Sequence, residues 1–251
     1  MYNQLLYRDI GTGNPTLLLH GFAEDSTVWD NQISALADTC RLILPDLPAG
    51  ATIEAMATTV KGILDQLKID QCTVIGHSMG GYIALAFAAL YPESLNALGL
   101  FHSTAYPDTE EKRATRRKAI DFIGTNGSAP FIRQSTPNLF SAFTREHHPE
   151  LIETTIAKYS TLAASTLIAW YEAMMARPDR TDVLRKFPRP VLFIIGRDDN
   201  IIPLQQSLEQ SWLPSISQLH IVEKAGHQAM LEQPEKSNQL LQEFINFVTR
   251  I

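Results

Sequence analysis

Short apolar runs separated by longer amphipathic stretches set the rhythm of the first hundred residues. The runs fall at 17–19, 42–44, 74–75 and 97–101. Between the second and third, Ile53, Met56, Val60, Ile63, Leu64 and Leu67 recur at three- and four-residue steps, the spacing of one helical face. Short apolar strands alternating with helices predict parallel strands joined by right-handed crossovers and buried on both faces. The rhythm resumes near the C-terminus, with a strand at 191–195, a helix near 204–212, a strand near 218–222 and a closing helix from 234 to about 248.

Between these halves the strand pattern stops. Residues 110–123 read as a polar helix stopped by Gly124 and Gly127, and 149–159 and 163–176 read as two more helices. The expected architecture is α/β: a doubly wound, mostly parallel sheet with an inserted all-helical lid. It divides into an N-terminal core part (1–104), the lid (105–188) and a C-terminal core part (189–251). A helical insertion over the carboxyl ends of strands usually shapes the substrate pocket.

In an open parallel sheet, ligands bind at that carboxyl edge, so the residues just after each strand are the informative ones. His20-Gly21-Phe22 follow the first run, and Gly76-His77-Ser78-Met79-Gly80 follow the third. Gly196-Arg197-Asp198-Asp199 and Ala225-Gly226-His227 follow the last two strands. The glycine–serine pentapeptide alone would occur by chance in roughly one chain in ten of this length. Its place between a strand and a helix, with an acid and a histidine on the same edge in the order Ser…Asp…His, is far more specific. Ser78 is a weak nucleophile until a base takes its proton, and His227 is the histidine placed to do so.

Taken in order, these segments resemble a capped, esterase-like serine hydrolase of the α/β-hydrolase superfamily. The residues carrying the likeness are His20-Gly21-Phe22, Pro45-Asp46-Leu47-Pro48, Gly76 to Gly81, Gly196 to Pro203, and Gly226-His227 followed by Leu231-Glu232-Gln233-Pro234. The resemblance implies a triad of Ser78, Asp199 and His227. It selects Asp199 because Asp199 stands three residues after Gly196 and four before Pro203; Asp198 is the second candidate. It also implies an oxyanion hole made by the backbone N–H groups of Phe22 and Met79, so that Phe22 acts through its backbone, with Gly76 and Gly80 as structural turn residues. No cofactor and no metal is expected. The loop after Pro48, Ala49-Gly50-Ala51, is shorter than the family pattern.

Other conspicuous residues have plainer readings. His77 and His20 read as packed structural histidines, His20 bracing the loop of Phe22. His102 could line the pocket or sit in the core, and His147-His148 read as solvated loop. Trp170-Tyr171 and Met174-Met175 fit either pocket or plain packing.

Composition limits the rest. The chain has 251 residues, 45% hydrophobic and 19% charged, enough for a substantial core, and its net charge of −6 argues against a nucleic-acid surface. The two cysteines, Cys40 and Cys72, form no C-x-x-C and fit a reducing compartment. Residues 1–4 carry no basic leader, and no apolar run reaches 18 residues, so a cytoplasmic protein with no membrane span is expected.

A serine at position 78 excludes the ester-forming carboxylate chemistry of dehalogenases and epoxide hydrolases. Acyl transfer to water remains, with a small-molecule ester, lactone or thioester as substrate. The alternatives are a C–C bond hydrolase or lyase on the same triad, or a receptor-like ligand binder. Glu111 to Lys118 place five basic residues in one lid helix, with Arg113, Arg116 and Arg117 at steps that share a face. Such a face could dock an acidic carrier protein or an anionic acyl group, or be plainly solvated.

Overall fold

The computed structural model describes residues 6–50 and 52–250. Residues 1–4, read above for a leader segment, and Ala51 in the short loop after Pro48 fall outside them. Among the described residues seven strands form one sheet: β1 (Tyr7–Ile10), β2 (Asn14–Leu19), β3 (Cys40–Pro45), β4 (Cys72–His77), β5 (Leu95–Phe101), β6 (Val191–Gly196) and β7 (Ser217–Val222). Their order is β1-β3-β2-β4-β5-β6-β7, and every pairing is parallel except that of β1 with β3. The apolar rhythm did not predict β1. It is a half-buried edge strand with Arg8 and Asp9 at its centre, held by backbone pairing to β3 rather than by an apolar run.

The helices in chain order are α1 (Asp30–Leu36), α2 (Ile53–Gln66), α3 (Met79–Leu90), α4 (Glu110–Asn126), α5 (Ser128–Ser135), α6 (Ala142–His147), α7 (Pro149–Tyr159), α8 (Ala164–Ala176), α9 (Thr181–Lys186), α10 (Leu204–Ser211), α11 (Ala229–Glu232) and α12 (Pro234–Arg250). Alternate side chains of the central strands enter opposite cores. Leu17, Leu19 and Val74 join Met56, Val60 and Ile83 of α2 and α3, while Leu18 and Ile75 join Leu36 of α1 and Leu241 and Phe244 of α12. Both faces are buried, so the strands read as unbroken apolar runs.

The helices between β5 and β6 differ in detail from expectation. Thr109 caps α4 by accepting from the Lys112 N–H at 3.2 Å. The helix then runs through Gly124, where a stop was expected, and ends at Gly127, whose φ of +83° no helix can continue. One glycine costs only about 1 kcal/mol relative to alanine, too little to end a helix whose hydrogen bonds continue. The short helices α5, α6 and α9 carry too few turns to show a period. His147 closes α6, its exposed ring stacked on Phe143, and is not in a loop. Among the described residues no helix is long and apolar enough to cross a membrane.

Candidate active site

Ser78 joins β4 to α3 with φ +50° and ψ −114°. A non-glycine residue in this conformation costs about 1–3 kcal/mol and persists only where its neighbours over-determine it. They do so here. Ser78 N–H donates to the Phe101 carbonyl at 3.0 Å, and its own carbonyl accepts from Gly81 N–H and from the Ser103 hydroxyl. The flanking glycines are required by close approach. A Cβ at Gly76 would stand 2.2 Å from the Gly80 carbonyl carbon, and one at Gly80 would stand 2.4 Å from the Leu19 oxygen. Met79 N–H opens α3, so it has no partner within the helix. Neither it nor the Phe22 N–H donates to an acceptor among the described residues.

The acid end is built from three loops at the sheet edge. Asp199 Oδ1 accepts from the N–H groups of Ile201 (2.7 Å) and Ile202 (3.0 Å). Oδ2 accepts from His227 Nδ1 at 2.8 Å and faces His102 Nδ1 at 3.2 Å. Burial works to raise the Asp199 carboxyl, but the two imidazoles outweigh it and hold it far below the usual carboxylate range. Asp198 is exposed, which leaves Asp199 as the acid partner of His227. Ser78 and His227 line one cavity, although among the described residues no hydrogen bond joins them. Catalytic contacts are often looser before substrate binds.

His102 belongs to this cluster, a role the sequence left undecided. Burial pushes its imidazole down to about 4 against the pull of Asp199, so it is neutral. With the proton on Nδ1 it serves Asp199 and also accepts from Ala229 N–H at Nε2 (3.3 Å). The other tautomer satisfies only the Gly196 N–H, 3.1 Å from Nδ1. His102, Asp199 and His227 are also the one group among the described residues close enough to share a metal, with donor atoms within 4.8 Å. Their donor atoms are already engaged with one another and with backbone N–H groups.

His77 packs between two acceptors, Glu24 Oε2 at Nδ1 (3.0 Å) and the His227 carbonyl at Nε2 (2.9 Å). Only the doubly protonated ring satisfies both. Burial alone would lower its pKa, but the Glu24 carboxylate outweighs burial and raises it. Glu24, opposed by its own burial, is brought down to about 2 by His77. Glu24 also accepts from Gly21 N–H (2.7 Å) and from Gln228 Nε2 (2.7 Å). One buried ion pair thus ties the Phe22 loop to the His227 loop. Sequence reasoning missed Glu24, because an acid in a loop beside Asp25 reads as solvated. His20, as expected, braces the Phe22 loop: Nε2 accepts from Leu47 N–H (2.8 Å), so Nδ1 donates to the Gly21 carbonyl (2.8 Å).

The cavity measures about 260 Å³. Phe22, Tyr82, Phe131, Tyr159, Tyr171 and Met174 supply apolar wall. The Phe22 ring stacks on Tyr171 with centroids 4.1 Å apart, so its side chain shapes the pocket in addition to any backbone role. Trp170 is a packing residue whose indole donates to the Pro48 carbonyl at 2.8 Å. The basic run of α4 does not share one face. Lys112 and Arg116 line the cavity, Arg113 pairs with Glu110, and Arg117 and Lys118 are exposed.

A model of the alpha/beta hydrolase fold family matches residues 14–234. The chain is 28% identical to a 2-hydroxy-6-oxononadienedioate/2-hydroxy-6-oxononatrienedioate hydrolase of Paraburkholderia phymatum, over 95% of this chain and 90% of that protein. Among solved structures, a thermophilic esterase from Thermogutta terrifontis, in a malate-bound form, is 34% identical with a TM-score of 0.93, covering 97% of this chain and 93% of its own. An enol-lactonase from Burkholderia xenovorans shares the fold at 23% identity, with a TM-score of 0.87 and 96% of each chain covered.

Proposed function

The chain belongs to the alpha/beta hydrolase fold family, and from that premise we propose that it is a serine hydrolase cleaving carboxylic esters, lactones or thioesters of small acyl groups. The observation carrying this reading is the pairing of Asp199 with His227 Nδ1 at 2.8 Å, on the cavity that also exposes Ser78. Asp199 holds the proton on Nδ1, which leaves Nε2 unprotonated to receive the Ser78 hydroxyl proton. The Ser78 oxygen then attacks the acyl carbon. The N–H groups of Phe22 and Met79, unpaired within the described chain, stabilise the oxyanion, and the positive end of α3 adds to their effect. His227 returns the proton to the leaving group, and water repeats the sequence to release the acid. Helices α4–α9 act as a lid that contributes Tyr171, Phe131 and Tyr159 to the acyl pocket.

Cleavage of a carbon–carbon bond in an oxo acid is the second reading. It is favoured by the likeness to hydrolases named for hydroxy-oxo dienoic diacids. The higher identity to a solved esterase ranks ester cleavage first. A panel of p-nitrophenyl esters from acetate to laurate, with lactones, thioesters and a vinylogous oxo acid, separates the two. The expected result is burst release of p-nitrophenol from short esters that Ser78→Ala abolishes. Turnover of the oxo acid alone would overturn the ester reading.

A further inference from the structure

The charges around the acyl cavity do not balance. Buried Asp108, with no exposed side-chain surface, is shared by Arg116 (Nε to Oδ2, 2.6 Å) and Arg177 (Nη1 to Oδ1, 2.8 Å). Lys112, on the same face of α4 as Arg116, reaches among the described residues only a neutral partner, the Ile201 carbonyl at 3.1 Å, which leaves two of its three donors for a ligand. Three cations thus stand against one carboxylate, and two of them, Lys112 and Arg116, line the cavity with Ser78. Glu24 is the one carboxylate among the described lining residues, and it is committed to His77. Glu110 of α4 is committed to Arg113.

The aromatic wall registers the same imbalance. Arg177 lies 3.9 Å from the Tyr82 ring centroid and Arg116 5.3 Å from that of Tyr171. Burial alone would raise the Tyr82 phenol, but Arg177, Lys112 and Arg116 together hold it below its ordinary value. Uncompensated positive charge beside an apolar cavity is costly unless a bound anion completes it.

We propose that this cavity is built for acyl groups ending in a carboxylate, such as half-esters of dicarboxylic acids, with Lys112 and Arg116 receiving the carboxylate while Ser78 attacks the ester carbonyl. The proposal rests on the serine-hydrolase reading above. A neutral chain of the same length fills the apolar wall but leaves the two cations without an anion. Hydrogen bonds to charged groups are typically worth a factor of about 10 to 100 in affinity.

The test compares kcat/KM for monomethyl adipate and for methyl hexanoate, by methanol release, in the wild-type enzyme, Lys112→Met and Lys112→Glu. Lys112 is partly exposed on a helix, so both variants should fold, and circular dichroism checks that they do. The wild type should favour the half-ester by about tenfold or more. The ratio should fall about tenfold in Lys112→Met, mainly through KM, and fall further in Lys112→Glu. A wild-type ratio of one or less, or a ratio unmoved by Lys112→Glu, overturns the carboxylate site while ester turnover still upholds the hydrolase. Absence of turnover on both esters, together with no labelling of Ser78 by a fluorophosphonate, overturns both readings.

Discussion

Replacing Asp199 by asparagine should disable the enzyme by forcing its histidine into the wrong tautomer. Oδ1 of Asp199 accepts two backbone N–H groups, from Ile201 and Ile202, and an asparagine must keep its carbonyl oxygen there to satisfy them. Its NH2 group then occupies the Oδ2 position, 2.8 Å from His227 Nδ1. Two N–H groups cannot face each other, so His227 gives up its Nδ1 proton and carries it on Nε2, toward Ser78. The proposed general base is lost while the fold is kept, because the Oδ1 bonds survive and His102, whose Nδ1–H would also face the new NH2 group, takes its other tautomer and accepts from Gly196 N–H. A triad acid changed in this way typically costs about 10⁴ in kcat, equivalent to about 5 kcal/mol in the barrier. The assay is kcat/KM on p-nitrophenyl butyrate, with circular dichroism to confirm folding. Asp198→Asn, at an exposed position, should stay within about twofold of wild type. Retention of a tenth of wild-type activity by folded Asp199→Asn, or a larger loss from Asp198→Asn, would refute this account.

Two further outcomes follow from the buried charges. Glu24→Gln removes the anion that keeps His77 protonated between Glu24 and the His227 carbonyl. It should cost about 3–5 kcal/mol in urea unfolding, and lower kcat by about 10- to 100-fold through slippage of the Phe22 and His227 loops; a variant as stable and active as wild type would show that the ion pair positions nothing. Stability should also peak near pH 6.5. His102, lowered from 6.5 to about 4, is neutral when folded and protonated when unfolded between those values, so up to about 3 kcal/mol is lost as pH falls through that window. Glu24, lowered from 4.5 to about 2, adds a loss of the same sign below pH 4.5. His77, raised from 6.5, has the opposite sign: its stabilisation is complete below 6.5 and is lost as pH rises through its folded value. Urea midpoints measured from pH 4 to 9 check this, and a midpoint still climbing between pH 6.5 and 8 would contradict the charged state of His77.

The parallel sheet, the strand–turn–helix around Ser78 and the order of Ser78, Asp199 and His227 were legible in the chain itself. They depend on local spacing: apolar runs flanked by small residues, and chemistry placed just after each run. Edge strand β1 and the short helices α5, α6 and α9 were not, because pairing and packing hold them without a period of their own. The same division runs through the site. Spacing marks where a nucleophile, an acid and a base stand, but not which charges meet across loops far apart in sequence. Glu24 reaches His77 across 53 positions and Gln228 across 204. Arg116 turns inward to Asp108 while its neighbour Arg117 faces water, although both looked alike as members of a basic run. Burial and partner decide the state of an ionisable group, and both are properties of the folded chain. The order of Ser78, Asp199 and His227 therefore belongs to the sequence, while the charge of His77, the neutrality of His102 and the cationic lining of the cavity exist only once the loops are packed.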